Sequence, residues 1–385
     1  MFPKRGTRAV IVPNPSLSLH FRPGIVALAL AAGLAAALLG WWPALAAAGM
    51  GSHSLATAPP TLEATGLYAD FASKTVAPEN LPYSPQYPLY TDGAVKRRWI
   101  YLPPGQQIDA TDLDHWVFPV GTRIWKEFAF GRRIETRLME LHQDGWLYAA
   151  YAWNQDETAA TLAPDRGLAG IEVGPGLRHD IPGRFDCLAC HEGQKNEVLG
   201  FGALQLSPQR DPGALHGEAL PEGGVDLTAL VERGLIRGLP EGMKAPEIPG
   251  SPRQRAALGY LHANCGHCHN AGSPLRGLKL DLSFPLLRKE GSESPAIATT
   301  AWVKSMKRPK SAQAEHRIEP GAPEQSSLIE RLKSQDPNAV MPTLGNQLID
   351  QKAVALLEAF IREDLKAPPA GPEAAKKQNP AGGAP

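Results

Sequence analysis

From about Ala94 to Ala163 the chain changes to short runs rich in aromatic and branched residues. The runs are Trp99-Ile100-Tyr101-Leu102, Trp116-Val117-Phe118, Thr122–Phe130, Ile134–His142 and Trp146–Trp153. Turn residues separate them: Pro103-Pro104-Gly105, Gly131 and Asp144-Gly145. This spacing predicts five or more short strands in an antiparallel sheet, a sandwich or a curled barrel. Beyond residue 250 the apolar positions fall at the spacing of helices. Pro252 to Asn264 reads as one helix, with Ala256, Leu258, Tyr260 and Leu261 as its apolar positions, and Ser327–Leu332 as a short one. A last helix runs from Asp350 to Glu363, where Val354, Leu357 and Ile361 fall at helical spacing and Leu356 and Phe360 widen the face. The expected class is α+β: a β-rich region over 49–238, a linker over 239–252 and an all-helical region over 253–365. The tail 366–385, rich in proline, alanine and glycine, reads as disordered.

The 38 glycines and 37 prolines favour a loop-rich architecture over long regular helices. Formal charge is zero, but Lys4, Arg5, Arg8 and Arg22 stand in a first stretch that has no acid, so the remainder is mildly acidic. No basic patch stands out, which argues against a nucleic-acid partner. After Arg22 an apolar run extends from Gly24 to Ala48 and closes on small residues, Ala44-Leu45-Ala46 or Ala46-Ala47-Ala48. Residues 1–48 therefore read as an export signal. The run is also long enough to remain as a membrane anchor, which needs ~20 apolar residues. Pro43 and the alanine-rich end favour cleavage, and either outcome places the rest of the chain in the periplasm.

Four cysteines in an exported chain would ordinarily suggest disulfides. Here they form two pairs, Cys187-Leu188-Ala189-Cys190-His191 and Cys265-Gly266-His267-Cys268-His269. Two cysteines three positions apart reach the two vinyl groups of one haem, and the adjacent histidine supplies a nitrogen to its iron. Zinc and redox sites also use Cys-x-x-Cys. Two copies that consume every cysteine behind an export signal read instead as two covalently attached haem c groups. His191 and His269 are the expected iron ligands.

The helix before the second motif, the stretch Arg317-Ile318-Glu319-Pro320-Gly321, the pair Met341-Pro342 and the final helix together resemble a small class I cytochrome c domain over about residues 250–365. The resemblance implies Met341 as sixth ligand of the second iron, where a thioether opposite histidine raises the reduction potential. Met306, set among Lys304, Lys307, Arg308 and Lys310, is the rival ligand; a Met341 that merely fills a core gap is the plainer alternative. His262, His267, Met243, His216 and His179 are the other nearby candidates. Of these, His267 lies inside its own motif and His262 reads as a surface or capping residue.

Phe118-Pro119-Val120-Gly121-Thr122 followed by Ile124 and Lys126, with Gly145-Trp146 and the aromatics after it, resembles the β-sheet c-haem family. That family includes lysine-cross-linked hydroxylamine-oxidising cytochromes and β-type cytochromes c-prime. The resemblance implies a five-coordinate first haem that binds a small nitrogen compound, with Lys126 at the porphyrin-linked position. The match is short, and the intervening loops differ. Strand alternation puts Ile124, Lys126 and Phe128 on one face and Trp125, Glu127 and Ala129 on the other. A lysine so placed either faces a cofactor or snorkels at a sheet edge. Arg137 and His142 read as surface residues paired with Glu135 and Glu140, with a distal-pocket role as the alternative.

The runs Pro88-Leu89-Tyr90-Thr91-Asp92-Gly93, Lys96-Arg97-Arg98-Trp99, Arg133-Ile134-Glu135-Thr136-Arg137 and Leu261-His262-Ala263-Asn264-Cys265 also resemble exported dihaem proteins of no settled activity. Three functions follow. Electron transfer with a periplasmic redox partner protein is the leading one. An oxidoreductase acting on a small ligand at the first haem is the second. The third is a docking module presenting Trp99, Trp116, Trp125, Trp146 and Trp153, although strand aromatics usually face a core.

Overall fold

The aromatic and branched residues pair into strands that are buried on both faces. The computed structural model describes residues 53–191, 197–289, 291–306 and 314–365. The export signal over 1–48 and the tail over 366–385 lie outside the described residues. Strands β1 (Tyr68–Asp70) and β2 (Thr75–Val76) form a small ribbon. The main antiparallel sheet takes β3 (Leu81–Pro82), β4 (Val95–Tyr101), β6 (Arg123–Phe130), β7 (Arg132–His142), β8 (Gly145–Trp153) and β9 (Ala160–Leu162), in the spatial order β3-β4-β6-β7-β8-β9. Outside this sheet, β5 (Ile108–Asp109) pairs in parallel with β12 (Ile236–Arg237), and β10 (Leu168–Gly174) pairs with β11 (Leu177–Ile181) as a separate hairpin.

Register decides what each sheet face carries. Trp99, Trp125, Leu138 and Ala149 align across β4, β6, β7 and β8, and Tyr151 and Trp153 extend their core. One residue along, Ile100, Ile124, Met139 and Tyr148 align on the opposite face and pack against Trp116, Phe118 and Phe201. All five strand-region tryptophans are 8% exposed or less, which removes the exposed aromatics on which the docking reading relied. Trp116-Val117-Phe118 is not a strand. Only Val117 bridges Asp109, and Pro119 cannot continue the ladder because it has no N–H to donate.

The helical part follows the sequence closely. In the helix Pro252–Asn264, the Ser251 hydroxyl accepts from the Gln254 N–H at 3.1 Å and Pro252 opens the first turn. The last helix, Gln351–Ala359, is capped by Asp350, whose carboxylate accepts from the Ala353 N–H at 3.1 Å. Its expected final turn, Phe360–Asp364, widens into π geometry. The architecture is thus α+β, a β-sheet-rich region followed by helices. Among the described residues, no helix is long and apolar enough to cross a membrane.

Polar side chains tie the two regions together through backbone groups. The Asn264 carbonyl oxygen accepts from the Tyr90 N–H at 2.7 Å, and its amide donates to the Pro88 and Tyr260 carbonyls. Asp114 accepts from the N–H groups of Leu286 and Leu287 at 2.8 and 3.1 Å. Asp92 does the same for Gln347 and Leu348 at 2.9 and 2.8 Å. Such bonds pair backbone groups of irregular segments that would otherwise be costly to bury.

Gly259 marks the closest approach. A Cβ there would lie 2.2 Å from the buried ring of Tyr87, whose N–H is held by Gln205 at 3.0 Å and whose hydroxyl is held by Asp211 at 3.1 Å. Gly259→Ala gains up to about 1 kcal/mol of helix propensity. The forced overpacking costs about 1–3 kcal/mol, because the ring has nowhere to go. The expected result is a net loss of stability, read as a lower urea midpoint with an unchanged slope.

Candidate functional site

The first Cys-x-x-Cys-His motif ends the short helix Arg184–His191, on which Cys187, Cys190 and His191 share the last turns. The His191 Nδ1 lies 2.6 Å from the Glu197 carbonyl oxygen. A carbonyl only accepts, so the Nδ1 carries the proton and the Nε2 lone pair is free, as an iron ligand requires. Burial pushes the imidazole pKa down to about 4, which keeps the ring neutral at physiological pH. The Tyr148 ring stands 5.3 Å from it, and the Tyr148 hydroxyl donates to the Glu197 carboxylate.

The second motif begins one residue after Asn264. The N–H groups of Cys268 and His269 donate to the Cys265 carbonyl at 3.1 and 2.8 Å, which winds the motif into a tight turn. A Cβ on Gly266 would lie 2.7 Å from the His262 carbonyl and 3.0 Å from the Ser283 Cα, so the loop around Ser283 crosses the motif at contact distance. His262 is not a surface residue. It borders the central cleft, and its Nδ1 accepts from the Phe284 N–H at 3.1 Å, which leaves a proton on Nε2. The His269 Nδ1 is buried and has no hydrogen-bond partner among the described residues. Burial, then the nearby His267, Arg317 and Arg331, lower its pKa.

The two motifs meet. Ligand atoms of Cys190, His267 and Cys268 lie within 4.8 Å of one another, and the Cys268 thiol approaches the Ala189 carbonyl at 3.7 Å. All four thiols are free. The hydrogen bond between Cys190 and Cys268 draws the Cys190 thiol down and pushes the Cys268 thiol up. Cys187, Cys190 and His191 of the first motif and Gly266 and His267 of the second border one cleft of about 240 Å³, partly open to solvent, between the sheet and the helix Pro252–Asn264; Cys265, Cys268 and His269 do not line it. Cys187, Cys190 and His191 line it from one side, Gly266, His267 and His262 from another, and Pro342 to Asn346 contribute a third wall.

The sheet supplies the floor. Arg98, Lys126 and Arg137 are directly opposite one another on β4, β6 and β7, and all three line the cleft. Strand β6 has a neighbour on each side, so Lys126 is not an edge lysine. Its amine stands 4.9 Å from the Phe128 ring centre; burial, then the charges of Arg98, Arg137 and Lys96, push its pKa well down. Arg137 is not a surface residue either. It pairs at 2.5 Å with Glu135, which is wholly buried and also bonds His179 at 2.8 Å. The pairing of Arg137 with Glu135 is the expected one, as is that of His142 with Glu140, 3.5 Å apart and partly exposed; only the placement of the first pair differs.

Of the methionines, Met341 is half-buried and stands just before the wall formed by Pro342, Leu344, Gly345 and Asn346. Its N–H donates to the Arg331 carbonyl at 3.2 Å, and the charge of Arg331 also reaches His269. Met306 is 62% exposed, and Met243 packs against the sheet core. His216 is engaged by Asp350 at 2.7 Å. Sequence reading missed Met139, which is buried on β7 and lines the cleft beside His191. The register Ile100–Ile124–Met139–Tyr148 would have found it.

No protein-family model matches the chain, and neither a curated protein nor a solved structure matches it. The chemistry of the site therefore rests on its residues. Two thiols and a neutral histidine with an anchored Nδ1, beside a cleft floored by three cations, fit a thioether-linked haem with its two carboxylates.

Glu135 offers a test of the floor. Burial alone would raise its carboxyl, but Arg137 and His179 hold it below the ordinary range. Glu135→Gln leaves the Arg137 charge uncompensated and is expected to cost about 3 kcal/mol. A carboxyl lowered by folding stabilises above its unfolded value of about 4.3 and loses that contribution as pH falls through the lower folded value. The gap between wild type and variant in chemical denaturation should therefore be full at pH 7 and close below about pH 4.

Proposed function

We propose that this chain is a periplasmic dihaem c-type cytochrome that passes electrons between its two irons and an external redox protein. The observation that carries the reading is the meeting of the two motifs. Thioether sulfurs as near to one another as Cys190 and Cys268 would hold two porphyrins close together. Adjacent redox centres suit transfer through the protein. When bound, a haem c group supplies a reversible one-electron couple, whose potential the axial ligands and surroundings set.

In this reading the β-rich region carries the first haem, on Cys187, Cys190 and His191. The helices from Pro252 onward form a class I cytochrome c-like unit with Cys265, Cys268 and His269, and Met341 is the sixth ligand to the second iron. Glu197 fixes the ligating tautomer of His191 through its carbonyl, and the buried Tyr148 and Met139 exclude water beside that ring. Export through the segment 1–48 places the protein where haem c is attached. An uncleaved segment would tether it to the inner membrane.

A second reading is favoured by Lys126. An amine in the cleft between two guanidinium groups suits a pocket group over an open first iron, as in the porphyrin-linked β-sheet family. The first haem would then act on a small ligand and the second would relay electrons.

The purified protein should give two haems per chain as the alkaline pyridine complex and stay coloured after acid–acetone extraction. Ferrous spectra unchanged by carbon monoxide would support the carrier, and one haem that binds the gas would support the oxidoreductase. A chain that instead purifies colourless with zinc on Cys190, His267 and Cys268 would refute both. Met341→Ala should lower the reduction potential of one haem and leave the other in place; potentiometric titration followed by absorbance reads this directly.

A further inference from the structure

We propose that Arg98, Lys126 and Arg137 form an anion site on the cleft floor, with Lys126 as the donor that receives a carboxylate or small oxyanion. Three cations directly opposite one another on adjacent strands repel, an arrangement that destabilises a sheet unless negative charge answers it. Two of them are answered from within the chain. Arg98 pairs with Glu218 at 2.7 Å, and Arg137 pairs with Glu135 through two contacts of 2.5 and 3.1 Å. The nearby amine of Lys96 is spent on the Leu89 carbonyl at 2.6 Å. Among the described residues, Lys126 has the face of the Phe128 ring and no hydrogen bond or ion pair; Arg137 also covers that ring at 4.4 Å.

A half-buried amine with open donors, flanked by two guanidinium groups and facing a cleft, is the arrangement that charge-assisted bonds to an anion use. A lysine placed there for packing alone would carry the cost of desolvation without return. The anion has two available sources. One is a carboxylate of the porphyrin held by Cys187 and Cys190, and this source rests on the dihaem reading. The other is a free oxyanion entering from solvent, which would make the site a substrate or effector pocket for small anions.

The test uses the full purified chain, with haem content counted first. Formate, a planar carboxylate without redox chemistry of its own, is titrated calorimetrically into wild type, Lys126→Arg and Lys126→Gln. Lys126→Met stands in if the glutamine variant does not fold. Binding by wild type and Lys126→Arg, weakened about tenfold or more in Lys126→Gln, identifies the free oxyanion. Where formate does not bind, the porphyrin carboxylate is expected. Its bending band in resonance Raman spectra should then coincide in wild type and Lys126→Arg and shift in Lys126→Gln.

Formate binding that ignores the substitution, as at an iron, counts against the site. An unchanged carboxylate band together with no formate effect overturns the proposal, even with two haems present. Fewer than two haems per chain would refute the dihaem reading instead, and the formate titration alone would then decide the anion site.

Discussion

Asn264 stands one residue before Cys265, and its side chain bonds backbone groups of Tyr90, Pro88 and Tyr260. This wedge fixes the end of the helix Pro252–Asn264 against the segment that leads into β4. The second motif is therefore held at a set distance from the sheet, and the first motif approaches from the other side on the helix Arg184–His191. Asp114 and Asp92 repeat the device at Leu286–Leu287 and Gln347–Leu348, where each carboxylate accepts from two main-chain N–H groups. A buried amide or carboxylate used in this way is more exacting than apolar contact. A shift of an ångström breaks its bond geometry, whereas packed methyl groups slide.

The sheet and cleft divide labour by register. The row Trp99–Trp125–Leu138–Ala149 supplies apolar core on one face, and Arg98–Lys126–Arg137, one residue away on each strand, supplies charge on the other. A slip of one residue would bury three cations among tryptophans and turn Trp125 into the cleft, so the pairing is strongly specified. The buried Glu127, bonded by Tyr68, Arg97 and Arg133 on the tryptophan-bearing face, adds a second penalty against that slip.

Much of this was readable from residue order, and the limits have physical causes. The helix Pro252–Asn264 and the strands β4, β6, β7 and β8 lay open because their periods and caps are local properties. Trp116-Val117-Phe118 misled because three large apolar residues read alike as a strand or as a plug, and tertiary packing chose the plug. The hairpin of β10 and β11 passed unnoticed because its glycines and charges mask the alternation. The two Cys-x-x-Cys-His segments announce their own chemistry, but their meeting at Cys190 and Cys268 depends on the path of the whole chain between them. Arg137 and His262 were taken for surface groups because an ionisable residue is usually exposed. Only their partners, Glu135 and the Phe284 N–H, mark them as interior.

Gly266 changes what the motif means as a signature. In a Cys-x-x-Cys-His pattern the two middle positions count as free. Here the first of them passes so near Ser283 and the His262 carbonyl that a side chain has no volume to occupy. Together with the wedge at Asn264, the informative string lengthens to Asn-Cys-Gly-x-Cys-His. A survey of genomes for chains built on this plan would gain discrimination by requiring that longer string. It would also separate this architecture from the many unrelated haem-binding segments that share only the shorter one.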